Sequence, residues 1–422
     1  MSAFSRRNGI AYGLLGLPLA FVALPLYVIL PNYYAKEFGV PLAVLGAILL
    51  GARLFDAVID PLLGQLSDRL FARSARAVLL AAAAAAVVLA AGFMLLFFPQ
   101  VTEPGALVLW ASATLVVTYA AYSFLSVSHQ SWGAMLGGNE AERSRIVAWR
   151  EALGLVGVVM ASVTPVALGM PATTAIFTLA LIIGWLAWTQ AVQPVAKTAD
   201  LARAAIWLPF KHGNFKRLLL VFMLNGTASA VPATLVLFFI QDKLQAPTNM
   251  EPLFLGAYFL TAAASIPVWL AVVKRIGLGK SWLCGMALSI AVFSWATQVG
   301  AGQTAAFLII CALSGVALGT DLALPGALLA GVIQRNGDSG HAEGAYFGWW
   351  NFAIKLNLAL AAGLTLPALG LFGYAPGVRS PEALGALVIA YCVLPCVLKL
   401  SASAALYFFI INPTLKTAKV ST

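Results

Sequence analysis

The chain has 422 residues, of which 61% are hydrophobic and only 9% are Asp, Glu, Lys or Arg. Soluble domains carry roughly 25% charged residues, so a water-covered fold is excluded and lipid is the solvent that fits. The formal charge of +10 does not point to nucleic acid: the basic residues form short clusters between apolar runs, such as Arg69, Arg73, Arg76 and Lys274, Arg275, Lys280, with no extended basic face or recognition module.

A membrane-crossing helix needs about 20 apolar residues at 1.5 Å each. The first apolar run, 10–34, lacks a cleavage pattern and is long enough to span, so it is predicted to stay as a helix. The second, 41–66, is interrupted by Arg53, Asp56 and Asp60, followed by Pro61. Spacings of three and four place all three charges on roughly one helix face. Burying such groups costs several kcal/mol by most estimates, so the face is expected to look inward and to work. Two carboxylates one turn apart can ligate a cation, or share a proton because they repel each other. Arg53 would balance one of them, and Pro61 removes a backbone donor and favours a kink.

Further runs at 77–98 and 105–130 precede a polar loop, and the fourth span carries Tyr122, Ser128, His129 and Gln130, with Trp132 just beyond it. These five are candidates for lining a polar cavity, His129 also as a group that titrates near neutral pH or as a plain hydrogen-bonding residue. Runs at 146–168 and 172–192 follow. The longest polar interruption, 193–213, divides the chain into an N-terminal six-helix bundle (1–192), a cytoplasmic linker and a C-terminal six-helix bundle (214–422). The second half holds runs at 214–240, 253–273, 281–298, 303–330, 344–370 and 384–411. A 6+6 arrangement is common in secondary transporters.

Asp321 in the tenth span and Lys355 in the eleventh are the second half's intramembrane charges of interest. A buried ammonium wants a carboxylate, with Asp56 or Asp60 the first choice for Lys355 and Asp321 the second. Tyr346, Trp349 and Trp350 could stack on a flat solute, although helical periodicity keeps some of them for packing. Lys399 in the twelfth span reads as structural, its long stem able to reach an interface. Cys284, Cys311, Cys392 and Cys396 all lie in apolar segments and read as small buried residues. Of the 25 Lys and Arg residues, only Lys36, Lys243 and Arg379 fall outside when both termini are placed in the cytoplasm, and Arg53, Lys355 and Lys399 fall within spans. The others, including Lys197, Arg203, Lys416 and Lys419, lie inside, which supports that orientation.

The span-two run Arg53–Pro61 and the following Gly64-Gln65-Leu66-Ser67-Asp68-Arg69 resemble the glycoside–pentoside–hexuronide:cation symporters, the melibiose-carrier-like branch of the major facilitator superfamily. The resemblance covers essentially the whole chain in span order. It implies twelve transmembrane helices in two bundles and cation-coupled symport of a small organic solute, such as a sugar or glycoside, by alternating access. It further implies cation coupling at Asp56 and Asp60, and a conformational latch using Gly64, Asp68 and Arg69. The run Asn139–Arg145 with Trp149 and Arg150 resembles the family's loop between spans four and five, where an arginine near Arg150 is linked to sugar recognition. Glu343-Gly344 followed by Lys355 resembles the span-eleven motif, whose lysine communicates with both sites. Gly331 stands where the family often has an aspartate.

The departures are informative. Span one reads Gly16-Leu17-Pro18-Leu19-Ala20 with no acid, and Ser128 stands at the position of a span-four acid, so both acceptors of sugar hydroxyls used by galactoside carriers are missing. Ile59 replaces the asparagine of the sodium-using carrier, which favours a proton over sodium. The expectation is a bacterial inner-membrane monomer that needs a bilayer and a small-molecule substrate, with no cofactor, no structural metal, no nucleic acid and no enzymatic activity. Transport or export of an amphipathic, lipid-like solute is the alternative, and a non-transporting receptor a remote one.

Overall fold

The computed structural model describes residues 4–194 and 205–412. The stretch 195–204 of the expected linker, with Lys197 and Arg203, lies outside the described residues, as do Lys416 and Lys419. Among the described residues ten helices are long and apolar enough to cross a membrane. One of them, Glu140–Thr189, breaks at Gly169, whose φ of 78° between Pro165 and Pro171 turns the chain back. It therefore supplies two crossings. Leu42–Arg73, 32 residues long and apolar apart from its few charges, brings the number to twelve.

We number the crossings α1 (Arg6–Tyr27), α2 (Leu42–Arg73), α3 (Ala75–Phe97), α4 (Pro104–Met135), α5 and α6 (the two arms of Glu140–Thr189), α7 (Gly213–Lys243), α8 (Glu251–Ile276), α9 (Leu278–Ala296), α10 (Thr304–Arg335), α11 (Glu343–Leu371) and α12 (Pro381–Ile411). The all-α class and the positions of the crossings agree with the sequence reading. Leading polar residues start several of them. Ser74 accepts from Ala77 N at 3.0 Å, and Asn139 and Glu142 form a reciprocal capping box at the head of α5.

By contacts the chain separates into unit 1, Met1–Lys211 with Ala330–Phe352, and unit 2, His212–Leu329 with Ala353–Thr422. The sequence reading divides the chain at 193–213; by contacts one segment of the second half groups with unit 1. The end of α10 and the start of α11 belong with the N-terminal helices. The cause is close backbone approach and directed hydrogen bonds. A Cβ on Gly64 of α2 would run into the Gly344 carbonyl, one on Gly344 into the Gly64 carbonyl, and one on Gly348 would lie 2.6 Å from the Asp60 carbonyl. Small residues four apart are what let two membrane helices touch at the main chain.

Each unit has its own apolar core. In unit 1 Phe21, Phe93 and Phe177 pack together from α1, α3 and α6; in unit 2 Phe239, Phe307 and Tyr391 do so from α7, α10 and α12. Large apolar side chains such as Val58, Val87, Leu109, Val166 and Leu260 are turned outward, a surface suited to lipid. Cys311 and Cys392 are buried as expected; Cys396 is half-buried and Cys284 exposed, so the reading of four buried cysteines does not extend to these two.

Candidate functional site

Asp56 and Asp60 are almost wholly inaccessible, at 1% and 0% exposure, while Phe55, Val58 and Leu62 on the same helix are exposed. The apolar stripe of α2 thus takes the outside and the carboxylates take the interior. Ser123 of α4 donates to Asp56 Oδ1 at 2.6 Å. Arg53 is exposed and sits over the ring of Tyr27 at 4.4 Å, a cation–π contact. The charges of Arg53 and Asp56 both reach Tyr119, and those of Asp56, Asp60, Arg150 and Glu151 all reach Tyr122. Arg150 is paired with Glu151 through both Nε and an Nη. Unit 1 therefore gathers two buried carboxylates, an arginine–glutamate pair and several tyrosines into one polar region.

Several of these partners are absent from the sequence reading. Glu151, an acid of α5 that the sequence reading did not single out, pairs with Arg150. Its adjacency to Arg150 in an otherwise apolar segment was the available signal. Ser123, Tyr27 and Tyr119 come from helices whose rotation no spacing in α2 reveals.

Other expected cavity residues are committed to the chain itself. Ser128 is fully buried and donates to Ser67 Oγ at 3.1 Å, joining α4 to α2. His129 lies buried between Tyr12 and Trp188, its Nε2 2.7 Å from the Tyr12 carbonyl oxygen. Trp132 is buried and donates to the Val192 carbonyl at 3.0 Å. Tyr346 donates to Asp338 at 2.7 Å and accepts from Asn336. Trp349 donates to the Ile206 carbonyl at 2.8 Å and packs on Trp207 and Phe210. Trp350 is buried on α11. In the first five, a polar atom meets a main-chain or side-chain group of the chain itself.

The residues expected to form a latch divide. Asp68 is buried and accepts from the amides of Gly344 at 2.6 Å and Ala345 at 2.8 Å, so its carboxyl group sits on the N-terminus of α11. Gly64 makes room for that crossing, and Arg69 is exposed. Arg143 Nη1 donates to Gln334 Oε1 at 2.6 Å and to the Gly138 carbonyl at 3.1 Å, and a Cβ on Gly331 would lie 2.9 Å from its other Nη. The place of the family aspartate is thus beside an arginine that here uses a glutamine.

In unit 2 Asp321 accepts from Asn225 at 3.0 Å, Trp282 at 2.8 Å, Ser229 at 3.2 Å and Lys399 at 3.1 Å. Lys399 is 4% exposed and also donates to Asn225 Oδ1 at 2.8 Å, so its stem does not reach an interface. It serves a buried ion pair joining α12 to α10, with α7 and α9 completing the shell. Lys355 is half-buried on α11. Among the described residues no three His, Cys, Asp or Glu side chains gather as metal ligands.

Comparison with known proteins agrees with this architecture. The sequence profile of the family described as MFS/sugar transport protein matches residues 9–413. An uncharacterized symporter of Bacillus subtilis is 24% identical over 407 residues, covering 90% of this chain and 86% of that protein. The glucuronide carrier protein homolog of Escherichia coli is 24% identical over 401 residues, with 90% and 86% covered. The isoprimeverose transporter of Lactiplantibacillus pentosus is 24% identical over 406 residues, with 89% and 83% covered. Among solved structures, the fucose:proton symporter of Escherichia coli superposes with a TM-score of 0.72 at 14% identity, over 96% of this chain and 99% of that one.

Proposed function

We propose that this chain, which belongs to the MFS/sugar transport protein family, is a symporter that carries a small organic solute across a membrane together with a proton or sodium ion. One observation carries the reading: two carboxylates one turn apart are buried inside a helix bundle whose outer face is apolar. Such a pair is expensive to hold empty and charged, so taking up a cation stabilises it. The energy of cation entry can then be linked to solute movement by alternating access.

The solute we infer is a hydroxylated ring, a sugar or glycoside. Relatives named for glucuronide and isoprimeverose support this class. So does the local chemistry. Glu151 offers carboxylate acceptors for ring hydroxyls, Arg150 offers donors, and the half-buried Tyr27 and Tyr122 offer flat apolar faces. Between the two ions we favour the proton. It needs no multi-ligand cage, and Ile59 beside Asp60 adds no oxygen. Asp68 and the start of α11 form the latch of one transport state, and Lys355 is the coupling charge of α11. The excess of basic residues in the inner segments supports a reading with both termini in the cytoplasm of a bacterial-type plasma membrane, and we infer that the monomer is the working unit.

Uptake into proteoliposomes under an imposed proton or sodium gradient tests this. Asp56→Asn and Asp60→Asn should each abolish gradient-driven accumulation. Accumulation at the wild-type rate in both variants would overturn the coupling role.

A further inference from the structure

We propose that unit 2 contains a second binding site, for a small uncharged single-ring amphipath carrying an oxygen head, of the phenol class. The site is a cavity of about 170 Å³ lined by residues of α7, α8, α9, α10 and α12. All of its lining residues belong to unit 2, and the carboxylates of α2 are not among them.

Size comes first. An apolar cavity of about 150 Å³ in a protein interior accepts benzene, so this one takes a single substituted ring. Its walls are largely apolar and include Phe254, Phe293 and Tyr391, which suit a flat ring at edge or face. An apolar wall also argues against a charged ligand. Asp321 and Lys399 at the cavity margin already neutralise each other at 3.1 Å, and no net counter-charge is left for an ion.

The head group is specified by unused hydrogen-bonding capacity. Asp321 is satisfied by four donors. Lys399 spends two of its three N–H groups, on Asn225 and Asp321, and one is left over. The hydroxyls of Tyr258, Tyr391, Ser289 and Ser314 line the same cavity, and none makes a hydrogen bond to the described residues. Four hydroxyls and one ammonium proton facing an apolar space form a set that an oxygen atom on a ring would answer. Buried polar groups are ordinarily paired, and a ring oxygen can accept from the ammonium and exchange hydrogen bonds with the hydroxyls.

The test uses the full-length protein in nanodiscs and p-cresol as probe. Titration calorimetry and thermal shift should show saturable binding, and toluene, the same ring without oxygen, should bind at least about tenfold more weakly. Tyr258→Phe, which removes one hydroxyl and keeps the shape, should weaken p-cresol roughly three- to tenfold. Ser314→Leu, which fills the space, should abolish binding. Should Ser314→Leu fail to fold, the toluene comparison and Tyr258→Phe decide. Non-saturable uptake equal to that of empty nanodiscs, or equal affinity for p-cresol and toluene together with no change in Tyr258→Phe, overturns the proposal. Transport of a sugar can fail or succeed independently of this result.

Discussion

Ser123 Oγ and Asp56 Oδ1, 67 residues apart in sequence, meet at 2.6 Å and fasten α4 to the charged face of α2. Asp56 is 1% exposed, so water cannot replace that donor. A hydrogen bond to a buried charged group is worth about 1.5–3 kcal/mol. Ser123→Ala should therefore lower stability by roughly that amount, and Ser123→Thr, which restores the hydroxyl, should recover most of it. Thermal unfolding of the three proteins in one detergent checks this. Equal melting temperatures for Ser123→Ala and wild type would mean the bond carries no weight.

The carboxylate of Asp68 holds the amides of Gly344 and Ala345. Asp68→Asn keeps one acceptor but turns an NH2 group toward the other amide, a change that costs about 1–3 kcal/mol for a buried donor left unmet. We expect faster hydrogen exchange at Gly344 and Ala345, confined to the start of α11, and slower solute uptake. Unchanged exchange at both amides would remove Asp68 from the latch.

Much of this was readable from the sequence because it lies along one helix. Asp56, Asp60, Gly64 and Asp68 follow one another at helical spacings, and the apolar residues between them fixed which face turns inward. What lay across helices was not readable. Ser123 beside Asp56 and Lys399 beside Asp321 depend on helix rotation and tilt, which packing determines. Several aromatic and polar residues read as cavity lining have hydrogen-bond partners within the chain. Trp132, His129 and Trp349 look like ligand contacts because polar aromatics are costly in lipid. The structure meets that cost with main-chain carbonyls at Val192, Tyr12 and Ile206. A sequence cannot distinguish a polar tip aimed at a solute from one aimed at a loop.

Glu151 gives a prediction about substrate. If its carboxylate accepts from ring hydroxyls, Glu151→Gln keeps the shape, loses the charge and leaves Arg150 less constrained. The half-saturating sugar concentration should rise about tenfold or more, since bonds to charged acceptors exceed those to neutral ones. The cation dependence set by Asp56 and Asp60 should persist. A loss of cation dependence with unchanged sugar affinity would assign Glu151 to coupling instead.

The crossing of α2 and α11 relies on Gly64 and Gly344, each facing the other's carbonyl. A methyl group at either position must push the helices apart, because the obstruction is backbone and cannot rotate away. Gly64→Ala should insert into the membrane and reach near-normal amounts while losing most uptake. Gly363→Ala, at a position on α11 where a Cβ meets nothing within 4 Å, is the matched control. Parallel loss of uptake in both would show that α11 tolerates no substitution and that the crossing is not special.

The Asp321–Lys399 pair allows a test by non-additivity. The side chains are only 15% and 5% exposed, so each charge depends on the other. Lys399→Met leaves a carboxylate with three neutral donors and no cation, and removal of one member of a buried pair costs about 3–5 kcal/mol. Asp321→Asn leaves an ammonium without its anion and should cost a similar amount. The double variant Asp321→Asn with Lys399→Met carries no buried charge, and such replacements are often near neutral. It should therefore be more stable than either single variant, a coupling well outside the few tenths of a kcal/mol expected of independent sites. Chemical unfolding of all four proteins measures it. If the two single losses simply add in the double variant, Asp321 and Lys399 are not acting as a pair, and the polar margin assigned to the unit 2 cavity loses its neutral character.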